Sequence, residues 1–402
     1  MSRRKPLKVA LIWAQFAAYH VDRCEAVGRR LAPRAQVLAI EVATTSADYA
    51  WEPSGAIAGA EKVTLFAGQS FDAIPWWRRF AAMLRATWRC DVVCMGLSYG
   101  LIDAILLGWT LRLLGRRLIL FSDSKFDDKP RSAPFELLKA ALLGCYGAAI
   151  GSGRRTLDYL RFLGFARRPR LPGYDCVGVD RIRAQAGLAD GLPDATPEAA
   201  FSRRPFVFIG RFVDKKNLAT LVEGHARYVA LAGAAARPLR LIGSGPLEHG
   251  LRARVADLGI AGMVDFPGFL PAEAVSRALA GALALVLVSR EEQWGLVVNE
   301  ALALGLPVIV SNEVGARDLL VRNLVNGFVV DSHSPEAIAE AMRQMSADEA
   351  AWRAMARASR ERAWMGDAER LADALEVLLF PPAAEAAGRI DTLFAQLETT
   401  PQ

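Results

Sequence analysis

SREEQWGLVVNEALALGLPVIVS, residues 289–311, holds a strand end, a turn, a helix and the next strand in one line. The apolar run LALVLVS (283–289) closes at Ser289, a helix opens near Gly295, and PVIVS (307–311) resumes an extended pattern. A strand, a crossover helix and a second strand in such quick succession mean parallel pairing, with helices covering the sheet. Glu292 falls in the turn at the strand's carboxyl end. The amides of Gly295, Leu296 and Val297 are the first donors of the helix, unpaired within it and suited to an anion or a sugar hydroxyl. Glu300 lies about a turn and a half further in, so two carboxylates eight residues apart can reach one ligand from different depths. Spacing alone fits an ordinary first-turn carboxylate and a surface glutamate; the whole string points to a site.

The same alternation runs outward in both directions. KVALIW (8–13), QVLAIEV (36–42), DVVCM (91–95) and RLILFSD (117–123) precede it as strand-like runs. FVFIG (206–210) and LRLIG (239–243) follow the same pattern in the second half. Between the runs lie helical stretches such as 217–233, with Leu218, Leu221, Val222, His225 and Val229 at spacings of three and four. Continuous Val/Leu/Ile strands indicate burial on both faces. Residues 187–204, GLADGLPDATPEAAFSRR, lack periodicity and read as a linker. The expected architecture is therefore α/β: two Rossmann-like, doubly wound parallel-sheet domains facing a central cleft, with ligands at the carboxyl ends of the strands.

Composition narrows the class. The 402 residues are 52% hydrophobic and 23% charged, which excludes wholesale disorder and collagen-like repeats. The stretch nearest to a membrane span, Val92 to Leu114, is interrupted by Asp103 and Arg112 and reads as buried elements. The basic start, MSRRKPLKVALIW, runs straight into a strand pattern, so a signal peptide is not expected, and the chain reads as soluble and cytoplasmic. Five scattered cysteines without a C-x-x-C pair, and only four histidines, give no basis for structural zinc or a disulfide framework; no metal site is expected. Residues 1–200 carry 28 Lys and Arg against 19 Asp and Glu, whereas the remainder carries 21 against 24. The basic excess belongs to the first half, where it suits an anionic partner or a solvated arginine surface.

Two further strings sit at strand ends. In GRFVDKKNL (210–218), Arg211 and Lys216 project two cations just after FVFIG, a forked donor and a point charge suited to a diphosphate. In IGSGPLE (242–248), Gly243 and Gly245 allow close backbone approach, as a tight strand-to-helix turn also would. Glu248 stands where a third glycine would complete G-x-G-x-x-G, which argues against a nicotinamide dinucleotide site.

Together with VDFPGFL (264–270) and VGARDLLVRNLVNGFVV (314–330), these strings resemble the retaining glycosyltransferases of family 4, which have the GT-B fold. They occur in the family's order across about residues 205–345. The resemblance implies that Arg211 and Lys216 hold the donor diphosphate, that Glu292 and the amides after it contact the transferred sugar, and that Glu300 binds the ribose. Catalysis would rest on Glu292, Arg211 and Lys216. Gly268-Phe269-Leu270 looks like the loop beside the nucleobase. Trp294 stands where the family usually has Phe, and Val314-Gly315-Ala316 replaces a common Gly-Gly pair. The first half is similar more loosely, through QFAAYHVDR (15–23), FSDSKFDDKPRS (121–132) and PGYDCVGVD (172–180). Tyr19, His20, Asp123 and Lys125 are its acceptor-side candidates; a helix-capping imidazole explains His20 equally well. Enzymes of this kind use protein cations, so no cofactor is implied beyond the nucleotide-sugar donor, and Asp127-Asp128 is not read as a metal site.

The implied domains are 1–190 for the acceptor, a linker at 191–204, 205–365 for the nucleotide sugar, and C-terminal helices at 366–402 crossing back to the first domain. The implied activity is hexosyl transfer, with retention, from a nucleoside-diphosphate sugar to a glycan or lipid-linked acceptor in bacterial polysaccharide or glycolipid synthesis. Alternatives are a GT-B nucleotide-sugar epimerase and a non-catalytic nucleotide-sugar-binding protein. A nucleic-acid partner is not expected, because the basic residues form no recognisable motif. One segment stands apart: in PWWRRFAAMLRATWR (75–89), Trp77, Phe80, Leu84 and Trp88 share one helical face and Arg78, Arg85 and Arg89 another. That pattern fits either a helix packing its aromatics on the sheet or peripheral contact with an anionic membrane at its inner face.

Overall fold

The computed structural model describes residues 5–46, 54–188 and 200–399. Its first unit takes the residues up to Gly178 and adds Ala368–Thr399; its second runs from Val179 to Asp367. In the first unit the chain runs β1 (Leu7–Trp13), α1 (Ala18–Leu31), β2 (Ala35–Thr45), β3 (Glu61–Ser70), α2 (Trp76–Thr87), β4 (Val92–Met95) and α3 (Ile102–Leu113). It continues through β5 (Arg117–Ser122), α4 (Ala133–Leu142), β6 (Ala148–Gly151), α5 (Arg154–Leu160) and β7 (Arg170–Pro172). All seven strands are parallel, in the order β3-β2-β1-β4-β5-β6-β7. Val9 to Trp13 and Val92 to Met95 are buried, as the continuous apolar runs require.

The second unit opens with α6 (Val179–Gln185), followed by β8 (Phe206–Ile209), α7 (Leu218–Ala232), β9 (Leu239–Ile242), α8 (Glu248–Asp257) and β10 (Val264–Gly268). Then come α9 (Ala272–Ala280), β11 (Ala284–Leu287), α10 (Leu296–Ala303), β12 (Val308–Ser311), β13 (Gly327–Val330), α11 (Pro335–Ala347) and α12 (Glu349–Arg362). Its six parallel strands lie in the order β10-β9-β8-β11-β12-β13. Both sheets are thus doubly wound, as the alternation of the sequence implies. On α7 the predicted stripe is the core face: Leu218, Leu221, Val222 and His225 are buried.

The boundary between the units falls at Gly178, ahead of the expected edge at residue 190. The reason is local: α6 packs in the second unit, where Arg183 donates to the Ala303 carbonyl at 3.1 Å and Ser276 donates to Gln185 at 3.2 Å. Of the expected linker at 191–204, residues 191–199 lie outside the described residues. At the other end, α13 (Glu369–Leu379) and α14 (Ala384–Glu398) fold with the first unit. Arg29 and Arg30 of α1 pair with Glu369, Arg30 also with Asp373, and Arg34 with Glu376. All five cysteines are buried, and none is in a disulfide.

Candidate active site

In an open parallel sheet the loops diverge where strand order reverses, and ligands bind there. In the second unit the reversal lies between β8 and β11, the strands that carry Arg211 and Lys216 on one side and Glu292 on the other. The loop after β8 is fastened by Asn217, a left-handed residue (φ 57°). Its side-chain amide donates to the carbonyls of Val288 (3.0 Å) and Ser332 (2.7 Å), and its oxygen accepts from Thr220 at 2.7 Å. The amide of Arg290 donates to the Lys215 carbonyl at 2.9 Å, so the loops after β8 and β11 are stitched together. This brings the Lys216 ammonium onto Oε2 of Glu292, which also accepts from the Ser289 hydroxyl at 3.0 Å. The two side chains are 15% and 12% exposed, accessible to a ligand yet sheltered enough for charge to be felt. Arg211 is exposed at the same strand end.

The turn that carries Glu292 is braced from β12. The amide of Gly315 donates to the Glu292 carbonyl at 3.2 Å, and that of Ala316 to the Trp294 carbonyl at 2.9 Å. A Cβ on Gly315 would stand 1.8 Å from the Gln293 carbonyl oxygen, so one glycine is obligatory here and its neighbours Val314 and Ala316 are free to be buried side chains. That is the physical account of the single glycine where a pair is common. Trp294 is a core residue: it is buried, and its indole donates to Asn299 at 2.9 Å, which in turn donates to the Gly366 carbonyl at 3.1 Å. Gly295 caps α10, whose first amides, those of Leu296 and Val297, have no acceptor within the helix. Glu300 is half-buried one turn on.

Gly243 and Gly245 shape this site rather than open it. The Gly243 amide donates to the Gly268 carbonyl at 2.9 Å, and a Cβ there would lie 2.0 Å from the Gly210 carbonyl oxygen. The next residues hold the Arg211 loop: Phe212 donates to Ser244 at 2.8 Å, and Leu247 donates back to Phe212 at 3.2 Å. Phe269, strongly exposed, and half-buried Leu270 follow β10 at the edge of the same row of strand ends. The carboxyl ends of β10, β9, β8 and β11 therefore carry every donor-side residue that the sequence singles out.

In the first unit the reversal lies between β1 and β4. Tyr19 and His20 open α1 just after β1. His20 is a helix cap: its Nδ1 accepts the Ala17 amide at 2.9 Å, its ring lies 5.0 Å from that of Trp13, and burial, aided by Arg23, holds its pKa well below the usual value. The ring is neutral, with its proton on Nε2. Half-buried Tyr19 lies against the guanidinium of Arg23, 4.8 Å from its ring centre. Lys125 departs from expectation. It is 3% exposed and paired with Asp128 at 3.0 Å, so it builds its own loop and presents no charge outward. Asp123 is half-buried, and burial together with the Asp175 carboxylate pushes its carboxyl up.

The sequence reading passed over the group that organises this end of the sheet. Buried Arg23 pairs with Asp175 at 3.1 Å and donates to the Cys176 carbonyl at 3.0 Å, while Ser152 donates to Asp175 at 2.6 Å. Its signal lay in the quoted strings, as the arginine closing QFAAYHVDR and the first aspartate of PGYDCVGVD. Among the described residues, no cluster of three or more His, Cys, Asp and Glu is arranged to hold a metal ion.

Residues 199–362 match the family model described as glycosyl transferases group 1. Among curated relatives, the lipopolysaccharide core biosynthesis glycosyltransferase LpsE of Rhizobium meliloti is 33% identical over 35% of this chain and 38% of its own. The GDP-mannose-dependent alpha-(1-6)-phosphatidylinositol monomannoside mannosyltransferase of Mycobacterium tuberculosis is 33% identical over 51% of this chain and 54% of its own. The chain thus spans roughly half or less of the length of these relatives. Among solved structures, HepE of Anabaena in complex with UDP and glucose superposes with a TM-score of 0.66 at 15% identity, covering 93% of this chain and 99% of that one. Sucrose-phosphate synthase from Thermosynechococcus elongatus gives 0.66 at 20% identity, covering 92% and 98%. At such identities the likeness establishes the fold, which is GT-B.

Proposed function

We propose that this chain, a GT-B protein with a group 1 glycosyl transferase region, moves a hexosyl group from a nucleoside-diphosphate sugar to a glycan or lipid-linked acceptor with retention. The observation that carries the reading is the meeting of Lys216 and Glu292 at the reversal point, beside Arg211 and the first amides of α10. The relatives named for GDP-mannose and for lipopolysaccharide, and the neighbour holding UDP and glucose, support the donor class and a glycolipid or polysaccharide role.

As the bond between the anomeric carbon and the diphosphate oxygen breaks, negative charge grows on the diphosphate. Arg211, Lys216 and the α10 amides are preorganised to stabilise it, the kind of interaction that is usually the largest catalytic term. The acceptor oxygen bonds to the anomeric carbon from the same face, and its proton passes to the departing oxygen. Glu292, relieved of Lys216 when the diphosphate takes that cation, orients the sugar and offsets oxocarbenium charge. Glu300 binds the ribose, with Phe269 and Leu270 beside the base. With two protein cations in place, the transfer needs no divalent metal. The protein acts on the cytoplasmic side, peripheral at the inner face of the membrane.

Slow donor hydrolysis, with water as acceptor, tests this without knowledge of the acceptor. Followed by NMR, an α-linked donor should release first the α-hexose and free nucleoside diphosphate, at a rate indifferent to EDTA. First release of the β-hexose, an epimerised sugar, or loss of the reaction in EDTA would contradict the mechanism.

A further inference from the structure

Helix α4 is folded inside out. Its charged residues face the protein: Glu136 accepts from Lys139 (2.7 Å) and from the Tyr159 hydroxyl (2.5 Å), and Lys139 also donates to that hydroxyl at 2.6 Å. Its apolar residues Phe135, Leu137 and Leu138 face outward, Leu137 being 71% exposed. A water-facing helix shows the opposite pattern, and burying an ion pair carries a desolvation cost. Its neighbour α3 repeats the anomaly. Ile102, Leu106, Trp109 and Leu113, spaced by four, three and four, form an outward apolar stripe, with Leu113 85% exposed. The hydropathy of Val92 to Leu114 had read as buried; only β4 and the inner face of α3 are.

The two helices share a surface with α2. Right-handed crossovers from β3 to β4, β5 and β6 all step the same way across the sheet, which places α2, α3 and α4 side by side on one of its faces. Arg79 of α2 donates to Asp103 of α3 at 2.5 Å, and Trp109 of α3 donates to the Leu142 carbonyl of α4 at 3.1 Å. On α2 the buried residues are Arg79, Met83 and Thr87. Of the expected stripe Phe80 and Leu84 are half-buried, whereas Trp77 and Trp88 are exposed, as is Trp76, so the indoles do not pack on the sheet. The only acids on the three helices, Asp103 and Glu136, are buried and paired, whereas Arg78, Arg85 and Arg112 face out.

We infer that the outer face of α2, α3 and α4 docks on an anionic phospholipid bilayer. Aliphatic and Trp side chains enter the interface, where indole rings favour the headgroup level, and the arginines meet lipid phosphates. Charge selects this occupant over a second copy of the chain: a two-fold contact would set these arginines against themselves, with no outward acid on the helices to pair them. The inference names the surface for the membrane contact in the proposed function. Its test uses no sugar nucleotide, so either can fail alone.

The full chain is sedimented with vesicles of phosphatidylcholine, alone or mixed equally with phosphatidylglycerol. Binding is expected to the anionic vesicles and to weaken with salt. Leu113→Glu with Leu137→Glu should weaken it roughly tenfold or more, and Arg78→Gln with Arg85→Gln by a similar factor. Leu231→Glu, an exposed site on the second unit, should leave it unchanged. Thermal denaturation of each variant should match the parent, because all these positions face outward. Absence of binding to anionic vesicles would overturn the inference. So would a vesicle-free dimer that Leu113→Glu with Leu137→Glu dissociates, which would make a second copy the occupant.

Discussion

Lys216 and Glu292 stand 76 positions apart and meet because two short loops are tied together by Asn217 and the Lys215 carbonyl. Residue type and place in the strand-helix alternation were enough to put Arg211, Lys216, Glu292 and the α10 amides at strand ends, where the structure has them. The sequence left His20 open between helix cap and acceptor contact and missed the burial of Lys125, because each is settled by a near neighbour: the Ala17 amide for one, the Asp128 carboxylate for the other. His225 shows how strongly burial governs an imidazole. It lies in the core of the second unit, donates from Nε2 to the Arg237 carbonyl at 3.0 Å, and has its pKa lowered by burial to about 4. A depressed histidine pKa means that the neutral ring is favoured on folding, so its contribution is complete above the unfolded value near 6.5 and is lost as pH falls through about 4. Between those limits the loss amounts to roughly 3 kcal/mol. Urea midpoints measured at neutral pH and near pH 4 should fall by less in His225→Leu than in the parent; an equal fall would show that the ring does not carry this dependence.

At the scale of elements, strands dense in Val, Leu and Ile announced themselves, and those built otherwise did not. β6 is four residues of Ala, Ile and Gly, β7 is Arg-Leu-Pro, and β3 is an edge strand mixing Lys, Thr, Gln and Gly. Such runs bury too little apolar surface to be told from loops, and they become strands because a formed neighbour offers them a ladder. Helix faces were less legible still, since hydropathy counts residues without saying which way they turn, and α3 and α4 turn theirs outward. The junction of α1, α13 and α14 buries Val27, Leu31, Leu371, Leu375, Ile390 and Leu393, and it also holds a cluster of charges. Fully buried Asp373 accepts from Arg30 (2.9 Å) and from Arg389 (2.8 and 2.7 Å), and Arg370 lies 2.8 Å away. Asp373→Ala removes the carboxylate that Arg30, Arg370 and Arg389 share; Arg30 keeps Glu369, but Arg370 is left almost buried, and the first unit should lose about 3 kcal/mol. Chemical denaturation checks this; a loss below 1 kcal/mol would mean that the arginines reach water once released.

For the whole molecule, the sequence made plain that there are two doubly wound halves, while the boundary at Gly178 was obscured because α6 precedes the linker yet belongs with α9 and α10. The basic surplus of the first half has a structural counterpart in the outward arginines of α2 and α3. The second unit brings Lys216 and Glu292 together at its reversal point, and the proposal that a nucleoside-diphosphate sugar binds there is central. The most direct measurement is the thermal stability of the full chain with UDP-, GDP- and ADP-sugars, compared between the parent and Lys216→Ala. One nucleotide class, at a hundred times its dissociation constant, should stabilise the parent by roughly 2.7 kcal/mol, and Lys216→Ala should lose most of that gain. A folded parent that none of the three stabilises, or a Lys216→Ala protein stabilised as fully as the parent, would contradict the account.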